Sequence, residues 1–314
     1  MIKMSRDELS EYEKAILRRY LKRKNEDESN SKNEDDESKS KSTQTFAGNK
    51  LNKVSVNIDD LINYGKTFYS KEKKDGKYIG VAVALQQALD FAGPNGYVAT
   101  MPELIAAKLK ADSHDFWKKW YAVHTEENIG IDKKGRFYSR GEPVLVIVNG
   151  GGILTPERIR KAYDEGLING SAKYRDEEFN DLLDGKLPDG TSIELYRFRE
   201  IKKGISNLPH RFGVVMPYSM AQNTKSDYHQ KKEFMENPLV IARAGGIEYL
   251  DAYFEKAKRL ENKVGSLHSF SGRDASTPQG RVLFLGISCD GLGGSILDSD
   301  ARFVGVEVRS SARK

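Results

Sequence analysis

The amino-acid sequence predicts an α+β domain, on three observations. Two helix-like segments, Pro102 to Lys110 and His114 to Glu127, precede a remainder richer in strands. That remainder closes on two apolar or alternating runs, Arg281 to Leu285 and Arg302 to Val308, with Val304, Val306 and Val308 on one face of a period-2 pattern. At 314 residues, 38% hydrophobic and 31% charged, the chain is long enough to bury a sizeable core. It has no run of about 18 apolar residues, so no helical membrane span is expected.

Taken in order, Ser5 to Lys24 reads as an amphipathic helix with Leu9, Tyr12, Ile16, Leu17, Tyr20 and Leu21 on one face. Ser5 suits the N-cap and Asp7 and Glu8 the positive end of the helix dipole. The basic cluster Arg18, Arg19, Lys22, Arg23 and Lys24 reads as a solvated face on a helix that pairs with another subunit or docks on the domain. This stretch lacks the apolar core of a secretory signal, which points to the cytoplasm unless another component displays the protein on a virion or surface. Residues 25–45 contain no aliphatic or aromatic side chain and read as a disordered acidic linker. Residues 25–41 carry seven acids against three lysines, and residues 1–24 carry eight bases against four acids. These cancel, so the overall +5 belongs to the body and is too small and dispersed to indicate nucleic acid.

The body, residues 46–314, opens with a short strand expected at Val54 to Ile58 and a helical turn at Asp59 to Tyr64. Tyr78 to Phe91 reads as mostly helical, and Gly93-Pro94-Asn95-Gly96 as a turn. Pro102 follows the potential N-cap Thr100 or Met101 and favours a helix start. Phe116, Trp117, Trp120 and Tyr121 mark His114 to Glu127 as a second, buried helix. Two later segments each read strand, glycines, helix: 143–166, with Gly150-Gly151-Gly152 before Thr155-Pro156, and 238–260, with Gly245-Gly246 before Ile247. A glycine turn before a helix can bind phosphate through free backbone N–H groups, so an α/β nucleotide- or phosphate-binding enzyme is the alternative function. Neither segment matches GxGxxG or GxxxxGK[ST], and Thr155 as cap with Pro156 in the first turn accounts for the first without a ligand.

Catalytic sets are thin, and no enzyme, cofactor or metal is expected. His124 and Glu127 would share a helix face, with His114 near, but no HExxH or second ligand cluster accompanies them. Asp227, His229 and Cys289, the sole cysteine, form a nucleophile and base only if the fold joins them. Asp290, Asp298 and Asp300 offer oxygen ligands without the spacing of an EF-hand loop.

The informative stretch is Gly286 to Ala301, rich in Gly, Ser and Asp and without a regular period, longer than the usual connection of about 4 to 6 residues. From Gly280 through Val306 there is no Lys, Glu, Gln, Met or Trp, although these make up about a fifth of the chain. An Asn codon AAC randomised at its two adenines never yields those five. Ile287, Ser288, Cys289, Asp290, Gly293, Ser295, Ile296, Asp298, Ser299 and Asp300 are each reachable from it. A Gly/Ser/Asp turn region would also lack long side chains.

The frame Gly280-Arg-Val-Leu-Phe-Leu-Gly286, the loop from Ile287 to Asp300 and the closing Ala301-Arg-Phe-Val-Gly-Val-Glu-Val308 resemble the variable proteins of diversity-generating retroelements. The resemblance covers about thirty residues, with a looser match at Gly96 to Thr100 and the following helix. It implies a C-type lectin-like α+β domain with insertions, whose C-terminal segment is rewritten by adenine-directed mutagenesis. The ten residues named above then form a diversified ligand-binding surface, with Ser269, Ser271, Arg273, Asp274 and Ser276 as an upstream extension. The partner implied is a macromolecule, a protein. Ca²⁺-dependent lectins usually carry disulfides, and the lone cysteine makes this a disulfide-free variant.

Overall fold

The strands form where β-branched residues alternate and the helices where apolar spacing turns to three and four. The structure, a computed structural model, describes residues 56–111, 114–205, 207–261, 263–266, 268, 270, 273–286, 291–294 and 296–308. All of these fall in the compact unit Lys50–Lys314. The expected N-terminal helix and acidic linker lie outside the described residues.

The first half of the unit carries α1 (Ile58–Tyr64), β1 (Lys66–Ser70), the hairpin β2 (Lys73–Lys74) and β3 (Lys77–Tyr78), α2 (Gly80–Ala92) and β4 (Tyr97–Val98). Then come α3 (Met101–Lys110), α4 (His114–Trp117), β5 (Tyr121–Asp132), β6 (Glu142–Asn149), α5 (Pro156–Glu165) and β7 (Ala172–Lys173). The second half carries α6 (Asp176–Leu183), β8 (Glu194–Arg197), α7 (Phe198–Lys203), β9 (Phe212–Pro217), α8 (Tyr218–Gln222) and β10 (Asp227–Tyr228). It ends with α9 (Lys231–Glu236), α10 (Pro238–Arg243), α11 (Leu250–Glu261), β11 (Gly265–Ser266), β12 (Gln279–Leu285), β13 (Leu292–Gly294) and β14 (Ala301–Val306).

The main sheet runs β13-β12-β5-β6-β9-β8, with β7 pairing β12; a second sheet runs β1-β14-β4. The main sheet is antiparallel except for the parallel β8–β9 pair. Alternation separates two cores. Val123, Ile129, Leu145, Ile147, Val214, Met216, Leu283 and Leu285 belong to one, and Ala122, Val144, Val146, Val148, Val215 and Val282 to the other. The sheets are tied at an irregularity in β5. Its register against β12 jumps from Glu126↔Val282 to Val123↔Leu283. The amide of His124 turns away to donate to Ala99 O at 2.9 Å, and the amide of Ala99 donates to Val304 O at 2.9 Å. The terminal strand β14 is thereby fixed between β1 and β4 and linked to the strand that carries the buried acids.

Four expectations need correction. The helix expected over His114 to Glu127 stops at Trp117, and Tyr121–Asp132 is instead the twelve-residue strand β5. Glu126, Glu127 and Asn128 hid it, because three polar residues inside a largely buried strand break the apolar alternation. Val56 and Asn57 are not a strand; Asn57 caps α1 through its side chain, accepting from the Asp59 amide. Residues 238–243 are helix, not strand: Asn237 accepts from the amides of Leu239 and Val240, and Pro238 takes the first position. The connection 286–301 is not wholly irregular either, since Leu292–Gly294 adds β13 to the sheet edge. The helix with Pro102 in its first turn, the strand Glu142–Asn149 with its Thr155-capped helix, and the two C-terminal strands form as expected.

Candidate functional site

The segment between β12 and β14 is held by its backbone and by two leucines. Gly286 N donates to Gly291 O at 2.7 Å. Gly291 has φ +46°, and a Cβ there would sit 1.7 Å from Gly265 O, so only glycine fits. Leu292, fully buried, pairs with Leu285. Past β13, Leu297 is likewise fully buried; its amide donates to Gly170 O at 2.8 Å and its carbonyl accepts from Tyr163 Oη at 2.9 Å. Around this anchor Ile296 stands 47% exposed, and Asp298, Ser299 and Asp300 are half-buried at the surface. Tyr69 donates to Asp300 Oδ2 at 2.8 Å, and the Arg302 guanidinium lies 5.0 Å from the Tyr69 ring centre and 5.5 Å from that of Trp120. Hydrogen bonding to Asp300 and burial push the Tyr69 hydroxyl above its ordinary pKa.

Of the ten sequence-predicted residues, Ile296, Asp298, Ser299 and Asp300 therefore share this surface. Gly293 is buried in β13, where a Cβ would meet the Phe284 ring at 2.3 Å; a side chain there requires that ring to turn. Ile287, Ser288, Cys289, Asp290 and Ser295 lie outside the described residues, as do Ser269 and Ser271 of the upstream extension. Asp274 and Ser276 are on the surface and bond to each other, but Arg273 is 3% exposed and belongs to the interior.

That interior is a charge cluster without a sequence signal. Glu127, on β5, is fully buried and faces Arg281 across the β5–β12 ladder. Its Oε1 accepts from Arg281 Nε at 2.7 Å and Arg273 Nη1 at 2.8 Å, and its Oε2 from Arg243 Nη2 at 2.6 Å. Burial opposes the charged form of Glu127, but the guanidiniums of Arg281, Arg243 and Arg273 outweigh it and hold the carboxyl well below the usual range. Arg243 Nη1 also donates to Leu292 O at 2.7 Å, and a Cβ on Gly294 would fall 2.6 Å from Arg281 Cζ. The cluster thus lies directly beneath β13. A second buried cation, Lys108, donates to Lys119 O at 3.1 Å and Gly286 O at 3.2 Å, at the start of the loop. Burial lowers its pKa to about 7.

The glycine turn after β6 is occupied by the protein itself. Gly150 N and Gly151 N both donate to His124 O, at 2.8 and 3.2 Å. Ile153 N and Leu154 N donate to the two oxygens of Glu126, at 2.7 and 2.9 Å. A buried carboxylate sits where a phosphate would, and a Cβ on Gly152 would meet Glu126 Oε1 at 2.1 Å. Burial pushes the Glu126 pKa up, against the pull of the Leu154 and Ile153 amides. With residues 238–243 helical, the pair of strand-glycine-helix segments is reduced to one, and its amides are taken.

Among the described residues no other candidate set is brought together. His124 and Glu127 lie on a strand; burial lowers the His124 pKa to about 3. His229 Nε2 lies 2.9 Å from Ser266 Oγ, Asp227 pairs with Lys225, and Cys289 is outside the described residues. Among the described residues no three His, Cys, Asp or Glu side chains are grouped to hold a metal, and no helix is long and apolar enough to cross a membrane.

A main antiparallel sheet, a terminal strand returning beside the first, and a long connection held at the edge define the C-type lectin fold, and this chain has it. It is similar to a solved structure described as accommodating massive sequence variation in Nanoarchaeota by the C-type lectin fold. The TM-score is 0.58 at 28% identity, covering 78% of this chain and all of the other. No family model matches the sequence, and no curated protein matches it.

Proposed function

We propose that this chain is a ligand-binding protein that uses residues 287–300 as a variable surface, rewritten by adenine-directed retroelement mutagenesis, and that it acts by binding rather than by catalysis. One observation carries the reading. Four of the residues proposed to vary reach the surface, and the buried leucines and constrained glycines that hold the segment are not among the ten. Leu297 and Leu292 are fully buried, Gly291 is required by its φ and Gly294 by Arg281, while Ile296, Asp298, Ser299 and Asp300 reach the surface. Such a division lets side chains change while the loop keeps its place, because exposed substitutions usually alter stability by less than about 0.5 kcal/mol. The solved neighbour's description, massive sequence variation on this same fold, supports it.

The ligand fits a protein better than a small molecule. Ser, Gly and Asp offer adaptable hydrogen bonds, Ile296 offers apolar area, and Tyr69, 46% exposed beside Asp300, adds a rigid aromatic rim. The test is on DNA: sequencing the gene and its flanks. The reading requires a near-identical non-coding repeat of the stretch encoding residues 264–308, with adenines wherever the gene varies, beside a reverse transcriptase gene. A gene whose flanks hold no such repeat refutes the mutagenesis.

A further inference from the structure

Three guanidiniums share one carboxylate in the interior beneath β13. The side chains of Arg243, Arg273, Arg281 and Glu127 are 0, 1, 4 and 0% exposed. Among the described residues their salt-bridge partner is Glu127 alone, which leaves a buried excess of two positive charges. Neighbouring His268 is no counter-charge; burial and Arg243 lower its pKa to about 4, so it is neutral. Burying unmatched charge is costly unless another group answers it. Neutral acceptors answer part: Leu292 O takes Arg243 Nη1 at 2.7 Å, and Gln279 Oε1 takes Arg273 Nε at 3.3 Å. Arg243 Nε and Arg273 Nη2 remain buried without a hydrogen-bond partner. Unpaired donors on charged groups are rare in folded interiors and point to a missing acceptor.

Among the described residues, the Phe270 side chain lies against this cluster. The Phe270 ring lies 5.8 Å from Arg273 Cζ and 5.7 Å from Arg281 Cζ, is itself half-buried, and meets Tyr218 edge-on at 5.5 Å. The ring is thus a partly exposed neighbour of both Arg273 and Arg281. Guanidinium forks match the two oxygens of a carboxylate or phosphate.

We propose that Arg243, Arg273 and Arg281 form an oxyanion-binding site, reached past Phe270, that takes one carboxylate or phosphate group as the second counter-charge beside Glu127. The site is framework, not variable segment, so it does not rest on the retroelement reading. It would give ligands of every variant one shared anchor: an acidic group.

The test is thermal unfolding of the full chain titrated with sodium phosphate, or with N-acetylglutamate as a carboxylate carried on a side chain, each against sodium chloride at matched ionic strength. The proposal expects a saturable rise in Tm beyond the chloride control. Saturation by phosphate alone marks a free ion as occupant; saturation by N-acetylglutamate marks a ligand's acidic side chain. Arg273→Met abolishes the rise. Phe270→Ala, which leaves the guanidiniums in place and provides the answer if Arg273→Met does not fold, moves the half-saturation concentration by fivefold or more. A rise no larger than chloride's, or a half-saturation unmoved in Phe270→Ala, overturns the site.

Discussion

Replacing Glu127 by Gln tests whether the buried charge cluster sets the stability of the scaffold beneath β13. The substitution keeps volume and removes the carboxylate that accepts from three guanidiniums at 2.6 to 2.8 Å, all with side chains at most 4% exposed. Removing one partner of a buried ion pair typically costs about 3–5 kcal/mol, because the other charge stays buried without compensation. A domain of this size loses roughly 2–4 °C per kcal/mol, so Tm should fall by about 6–20 °C. The pH dependence has a definite sign. The folded-state pKa of Glu127 is depressed, burial being overridden by Arg281, Arg243 and Arg273. Its contribution is therefore complete above the ordinary glutamate value of 4.5 and lost as pH falls through the lower folded value. Calorimetry or circular dichroism of wild type and E127Q should show a constant gap between about pH 5 and 8 that narrows below about pH 4. A gap under about 1 kcal/mol at pH 7, or one that widens in acid, would refute the reasoning.

Two further outcomes follow from the geometry. Leu297→Ala should cost about 2–5 kcal/mol by chemical denaturation, while Ile296→Ala one residue earlier should stay within about 0.5 kcal/mol; equal costs would mean that Leu297 is no anchor. Lys108→Met should flatten the alkaline stability profile. Burial lowers the folded pKa of Lys108 from 10.5 to about 7, so between these values the unfolded chain binds more protons and wild-type stability rises with pH. A denaturation midpoint that climbs equally in both proteins over that range contradicts this.

Much of the fold was legible because it rests on local chemistry. The period-2 face of β14, the Thr155 cap and the Pro102 helix start each show in a few adjacent residues. The strand β5 was not, because its inward polar residues have partners far away in sequence: Glu126 binds amides 27 and 28 residues on, and Glu127 binds arginines 116 to 154 residues on. Nothing local distinguishes Arg243 in a helix or Arg273 in a Ser- and Asp-rich stretch from surface cations. The helical residues 238–243 misread as a strand for a related reason: Leu239-Val-Ile-Ala242 is apolar throughout, and only Asn237-Pro238 marks a helix start. For the surface, burial separates Ile296, Asp298, Ser299 and Asp300 from Leu292 and Leu297; codon composition does not, because leucine is equally reachable from AAC. Nor could composition foresee that Gly293 packs on Phe284 or that Arg273 turns inward.

The claim that the loop varies while its frame stays fixed is tested most directly by wholesale replacement. Positions 287–290, 295, 296 and 298–300 would be exchanged together for several unrelated sequences drawn from residues reachable from the AAC codon, with Gly291, Leu292, Gly294 and Leu297 kept. Melting temperatures of all the replacements should lie within a few degrees of the original, since the altered positions described here reach the surface. Melting temperatures scattered over tens of degrees, or chains that fail to fold, would show that these side chains hold the fold and are not a surface free to change.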